Sequence, residues 1–397
     1  MSMNATPSAN RIHIGFFGKR NAGKSSVVNA VTGQELSVVS DVKGTTTDPV
    51  TKAMELLPMG PVLIIDTPGY DDEGALGELR VRKTKQILNK TDVAILVVDA
   101  TEGLSSADEE LISIFKSKKL NYIVVYNKCD LIDVKTMIKL SSDENAVLVS
   151  ATDKKNIDQL KEKISLMADL GEEKFLVRDL VEPKDIVVLV TPIDASAPKG
   201  RLILPQQQVI RDLLEADAVT VVIKENEVAD TLAMLGKKPR MVITDSQAFK
   251  VVAESTPRDI PLTSFSILMA RYKGFLDTAV NGAMAIDMLE EGDKILISEG
   301  CTHHRQCEDI GTVKLPKWLE SYTGKKFTYE FTSGGTFPED LSPYKVVIHC
   351  GGCTLTEREL TYRMKCATDQ GVPFTNYGTT IALTQGILAR SVEMFVK

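Results

Sequence analysis

The stretch GKRNAGKSS, Gly18 to Ser26, decides how the front of this chain folds. It fits G-x-x-x-x-G-K-[ST], the phosphate-binding loop. The apolar run IHIGFF precedes it as a strand, and SVVNAVTG follows with helical spacing, so the loop has its required strand–loop–helix setting. Its glycines let the backbone from Gly18 through Asn21, Ala22, Gly23, Lys24, Ser25 and Ser26 close around phosphates at a helix N-terminus. Lys24 is then expected to reach the outer phosphates, and Ser25 to hold Mg²⁺.

Three downstream strand ends extend this reading. VLIIDTPG carries Asp66 and Gly69, a magnesium-side carboxylate and a backbone N–H for the γ-phosphate. IVVYNKCD ends in Asn127, Lys128, Cys129 and Asp130. The two acceptors of Asp130 suit the paired N–H donors of guanine; adenine would leave the carboxylate unpaired. Cys129 is the variable position of that motif, and VLVSAT supplies Ser150 and Ala151 to the base side. The order resembles a GTPase of the translation-factor-related class. DVKGTTTDPV resembles the G-T-T-R-D switch of tRNA-modifying and Era-like GTPases, which assigns the catalytic magnesium threonine to Thr46, with Thr45 and Thr47 as alternatives. Tyr70 stands where Ras-type enzymes carry a water-orienting glutamine, and Asn21 where potassium-activated relatives place an asparagine. The resemblance implies an enzyme that is slow alone and stimulated by K⁺.

Composition bounds the rest. The 397 residues suffice for two or three domains, and a net charge of −7 argues against nonspecific nucleic-acid binding. No apolar run is long enough to span a membrane, and the N-terminal stretch lacks the apolar core of a signal peptide, so a cytoplasmic location is expected. The expected fold class is α/β: a P-loop GTPase domain over 1–171, a small α/β dimerisation domain over 172–259, and a metal-binding domain over 260–397, the last two built on parallel sheets. GEEKFLVRDLVEPKD reads as a linker. DIVVLVTPI, AVTVVI and RMVITD read as three buried parallel strands whose open sheet is expected to pair with a second copy.

The last third concentrates soft ligands. Four of the six cysteines and three of the four histidines lie between Cys301 and Cys353, in EGCTHHRQCEDIG and VIHCGGC. Both stretches follow predicted strands, DKILISEG and YKVVI; if these share one open sheet, Cys301 meets the Cys350-x-x-Cys353 pair beyond their carboxyl ends. Spacing alone leaves zinc and an iron–sulfur cluster equally open, and the glycines of HCGGC lean toward a cluster.

A GTPase front joined to Cys301-Thr302-His303 and His349-Cys350-Gly-Gly-Cys353 resembles the HydF family, the GTPases of [FeFe]-hydrogenase maturation. The resemblance covers the whole chain. It implies a [4Fe–4S] cluster on Cys301, Cys350 and Cys353 with an exchangeable fourth ligand, for which His303 and His349 are the candidates, as iron ligands, cargo contacts or hydrogen-bond partners of the groups around the cluster. It further implies a homodimeric scaffold that uses GTP and Mg²⁺, accepts a diiron precursor made with two radical-SAM maturases, and passes it to apo-[FeFe]-hydrogenase. Cys307 and His304 are read as supporting residues, and Cys366 and His13 as structural. The competing reading is a tRNA- or ribosome-associated GTPase with a structural zinc domain, which the acidic balance disfavours.

Overall fold

A computed structural model of the chain describes residues 9, 11–34, 50–57, 59–67, 87–168, 174–193, 202–300 and 309–395. Its contacts divide into two compact units, Met1–Glu172 and Glu173–Lys397.

Among the described residues the first unit is built on six strands: β1 (Ile12–Gly18), β2 (Val50–Leu56), β3 (Gly60–Asp66), β4 (Val93–Asp99), β5 (Asn121–Asn127) and β6 (Ala146–Leu148). They lie in the order β2-β3-β1-β4-β5-β6, with β2 antiparallel to β3 and the other pairs parallel. All seven residues of β4, VAILVVD, are buried, as a parallel strand covered on both faces requires. The two-residue period sorts its side chains. Val93, Ile95 and Val97 join one core with helices Lys24–Thr32 and Ile157–Met167, while Ala94, Leu96 and Val98 join another with helix Ser106–Ser117. Each fully buried aliphatic side chain contributes about 1.5–3 kcal/mol. Strand order reverses between β3 and β4 on either side of β1, so the phosphate loop leaves β1 at the switch point where such sheets bind ligands.

Among the described residues the second unit carries two four-stranded, wholly parallel sheets. Its first half holds β7 (Ile186–Val190), β8 (Val219–Ile223), β9 (Met241–Thr244) and β10 (Leu262–Ser264), in the order β10-β9-β7-β8. Its second half holds β11 (Lys294–Glu299), β12 (Thr328–Ser333), β13 (Val346–His349) and β14 (Phe374–Asn376), in the order β12-β11-β13-β14. Read from the other edge, the second order is the first with every strand replaced by the one four places later. In both halves the last strand runs directly into an eight-residue helix, Phe265–Tyr272 or Tyr377–Thr384, capped by Ser264 or Asn376. Each helix closes on a polar residue followed by a left-handed glycine, Lys273-Gly274 or Gln385-Gly386.

The halves interlock. Helix Leu276–Met284, which follows the first half, packs on β14; helix Leu388–Val392, which follows the second, packs on β10. Gly282 allows the first of these approaches, since a Cβ there would come within 2.1 Å of the Phe374 carbonyl oxygen. One core runs through both halves, joining Val188, Val190 and Val242 to Ile295, Ile297 and Val347.

Two expectations change here. The middle region has a fourth strand: β10 pairs with β9, so its sheet continues past the boundary expected at 259. Three residues are too few for alternation to announce a strand. The stretch read as a linker is also packed. Leu176 and Val177 are buried with Leu213, and the Val177 and Arg178 N–H groups both donate to Asp212 Oδ2 at 2.8 Å.

Candidate functional site

The nucleotide site lies in the first unit. Helix Lys24–Thr32 starts directly behind Gly23, whose φ of +83° turns the chain into its first turn. A Cβ on Gly23 would lie 2.2 Å from Asn127 Nδ2, so only glycine permits the approach of β5 to the loop. Asn127 braces the site. Its Nδ2 donates to the Ala22 carbonyl at 3.1 Å, and its Oδ1 accepts from the Ala151 N–H at 3.1 Å. Phosphate loop and base loop are thus tied through one buried amide. Ser150 is buried and its hydroxyl accepts from the Asp153 N–H at 3.2 Å.

Ser25 Oγ donates to Asp66 Oδ2 at 3.3 Å, and Lys24 Nζ stands 3.9 Å from Asp66 Oδ1. A hydroxyl and a carboxylate side by side form the hard oxygen donor set that Mg²⁺ takes, so these residues fit the ion. Lys128 adopts φ +64° and bonds Asp99 Oδ2 at 2.5 Å. Burial pushes the Asp99 carboxyl up, but the bonds from Lys128 and Thr101 outweigh it and hold it below the usual carboxylate range. Asp130 is exposed, and Asn21 is exposed on the loop with φ +63°. Cys129 is buried, and its N–H donates to the Val149 carbonyl at 3.1 Å. Thr46, with Thr45 and Thr47, and Gly69 and Tyr70 lie outside the described residues.

The cysteine site lies in the second half of the second unit. β11 and β13 are parallel neighbours with Ser298 opposite His349, so the loops that follow them leave the sheet side by side. Gly300, the residue before Cys301, donates its N–H to Cys350 Sγ at 3.1 Å, and the Gly352 N–H approaches the same sulfur at 3.4 Å. Cys350 and Cys353 are half-buried and neither is in a disulfide. Cys301, His303, His304 and Cys307 lie outside the described residues.

Two features were not legible as site residues. Lys273 is buried, and its ammonium bonds the carbonyls of Gly352, at 2.8 Å, and Leu355. Burial pushes Lys273 down to about 8, against the pull of the Cys353 and Cys350 thiols; burial likewise raises the Cys353 thiol, against the pull of Lys273. Arg363 is fully buried beneath β11 and β13. It pairs with Glu359 at 3.0 Å and donates to His349 Nε2 at 3.2 Å, to Ser298 Oγ at 3.5 Å and to the Gly334 carbonyl at 2.6 Å. In ERELTYRMKCAT an arginine reads as solvent-facing; only the polar residues ending β11 and β13 hint at a buried partner.

That network engages His349 with protein groups behind the cysteine loop, one of the roles its position left open. Its ring is fully buried and stacks on Phe374 with centroids 5.9 Å apart. A guanidinium only donates, so Nε2 accepts from Arg363, and Nδ1 carries the proton bonded to the Cys350 carbonyl at 2.7 Å. Both ring nitrogens are engaged. Burial, then the Arg363 charge, push the imidazole down to about 3, so it stays neutral. His13 is buried at the start of β1, and Cys366 is half-buried against the shared core.

The donor set at Cys350 and Cys353 suits a thiolate-bound cluster. Two backbone N–H groups converge on the Cys350 sulfur and a buried ammonium stands by both thiols, each of which draws toward anionic sulfur, while burial of Cys353 works against it.

Comparison with known proteins separates the two units. Residues 13–128 match the family model described as a 50S ribosome-binding GTPase. Curated relatives include GTPase Der of Wolinella succinogenes, 38% identical over 165 residues, covering 38% of this chain and 35% of the relative. The tRNA modification GTPase MnmE of Desulforamulus reducens is 33% identical over 160 residues, covering 39% of this chain and 34% of the relative. The chain thus spans about a third of the length of the curated relatives it matches. Among solved structures, Aquifex aeolicus Era bound to GDP and AlF₄⁻ aligns with TM-score 0.36 and 22% identity, covering 56% of this chain and 98% of that one. Behind the GTPase module, residues 176–274 match the hydrogen maturase F dimerization domain and residues 277–394 the hydrogen maturase F tetramerization domain. Because these two matches take up nearly the whole second unit, in sequence and behind a GTPase module, the chain belongs to the hydrogen maturase F (HydF) family.

Proposed function

We propose that this chain is a GTP-hydrolysing scaffold of [FeFe]-hydrogenase maturation, carrying a [4Fe–4S] cluster on Cys301, Cys350 and Cys353. The observation that carries the reading is the 3.1 Å contact of the Gly300 N–H with Cys350 Sγ, which brings the chain to within one residue of Cys301 beside the second cysteine loop. A cluster bound there would supply an iron with an exchangeable position for cargo. His303 is the remaining histidine candidate for that position, since both His349 ring nitrogens are engaged.

The chain's own residues divide the nucleotide work. The loop backbone and Lys24 hold phosphates, Ser25 and Asp66 with Thr46 hold Mg²⁺, Gly69 contacts the γ-phosphate, and Asp130 with Asn127, Lys128, Ser150 and Ala151 reads guanine. Asn21 offers an oxygen to K⁺ near the phosphates, where Tyr70 brings no charge. Oligomers follow from the sheets: β8, VTVVI, is an uncharged edge strand with Val219 and Val222 exposed, and pairing with a second copy would cover it. The diiron precursor is cargo, received from two radical-SAM maturases and passed to apo-hydrogenase. No helix among the described residues is long and apolar enough to cross a membrane.

Anaerobically purified protein should contain iron and sulfide in equal amounts and hydrolyse GTP faster in K⁺ than in Na⁺ at matched ionic strength. Lys24→Ala should abolish hydrolysis and leave iron content unchanged. Stoichiometric zinc without sulfide would refute the cluster reading, and loss of iron with Lys24→Ala would refute the division of labour.

A further inference from the structure

Among the described residues, each half of the second unit sends a cation into backbone carbonyls of the other. Arg390, from the second half, bonds the carbonyls of Ala253, Thr256, Pro257 and Ile260 in the first. Lys273, from the first half, bonds those of Gly352 and Leu355 in the second. The two cations do not occupy matching positions. The match to Lys273, at the helix end before a left-handed glycine, is Gln385, which is neutral. The turn carries a charge only where the loop it faces holds thiols.

We propose that Lys273 is a positioning residue for the cysteine site: it fixes the turn that carries Cys353 and places a positive charge beside the sulfurs that would hold the cluster. The geometry supports both parts. Gly352 and Leu355 bracket Cys353, and the Leu355 N–H closes the same turn on the Gly352 carbonyl at 3.0 Å, so one ammonium holds both ends. Three N–H donors on a buried lysine with two carbonyls engaged leave its charge little screened by water. The charge part rests on the cluster reading above; the turn part does not.

The test uses full-length protein prepared anaerobically, as wild type, Lys273→Met, Lys273→Gln and Lys273→Arg. Hydrogen–deuterium exchange of the apo protein reads the turn. The Leu355 amide should exchange roughly tenfold faster or more in the Met and Gln variants, because two charge-assisted bonds are gone. Reductive titration followed by electron paramagnetic resonance reads the charge. The midpoint potential should fall in the Met and Gln variants, since an anionic cluster is harder to reduce without a neighbouring cation, and Arg should keep the wild-type value. Unchanged exchange together with an unchanged potential in a cluster-loaded variant would overturn the proposal. A wild type that binds no iron refutes the cluster reading and with it the charge part, while exchange still decides the turn. If Lys273→Met fails to fold, Lys273→Gln, which copies the other half, gives the same two readings.

Discussion

The two halves of the second unit have one strand order and two contents. β9 and β13 end at equivalent places, so Cys350 falls on Asp245 of the first half. Counting on from the paired positions Val190 and Ser298, Cys301 falls on Ile193. The strand ends that carry thiols in one half carry a carboxylate and an exposed aliphatic residue in the other. Below them the contrast repeats: the helix behind β13 buries Arg363 and Glu359, whereas the helix behind β9 buries Phe249 and Val252. A common sheet therefore supplies the place for a site but not its chemistry. The chemistry comes from loop residues and from a polar network under them.

The largest effect should separate the halves outright. Cys350→Ala or Cys353→Ala should empty the site of iron, while Asp245→Ala, its first-half counterpart, should leave iron content at the wild-type level. Anaerobic iron and sulfide analysis decides, and iron retained in both cysteine variants would dissolve the contrast. Next is the buried network. Arg363→Met leaves Glu359 unpaired inside the protein and should lower stability by about 3–5 kcal/mol in urea unfolding. Adding Glu359→Met should recover most of that loss. If it does, the ion pair is kept for aligning Ser298 and His349, and iron uptake should remain impaired in the stable double variant. Smallest in stability is the edge. β8 carries no charge, whereas its counterpart β12 carries Glu330, paired with Lys294 at 2.8 Å. Val222→Lys should change subunit stability by no more than about 0.5 kcal/mol yet weaken self-association in sedimentation velocity. The same substitution at Thr332 of β12 should weaken it less.

Much of the first unit was legible because its motifs each pair a strand end with a fixed chemistry. Gly23, Lys24, Ser25, Asp66 and Asn127 could be placed from spacing, and the described residues assemble around one loop. The placement of Cys350 just beyond a strand end, beside the end of β11, was legible for the same reason. Lys273 was not, because a lysine at a helix end reads as an ordinary surface residue. The duplication of strand order is not legible in the sequence, because the halves share little beyond turns such as Pro261-Leu-Thr-Ser264 and Pro373-Phe-Thr-Asn376. The choice among the roles open to His349 was not legible, because a histidine beside a cysteine suggests a ligand and only the buried arginine reveals that its lone pair is taken.

The exchange of helices between the halves also bears on how the chain acquires its structure. β10 is covered by helix Leu388–Val392, which lies far downstream of it in sequence. During synthesis the first half thus emerges with one face of its newest strand bare and must wait for the cysteine half to be made before that face is closed. Such long-range closure slows folding and lengthens the time in which apolar strands are open to other chains. It also means that Cys350 and Cys353 are made before helix Leu388–Val392, so the cysteine loops exist before the first half is closed.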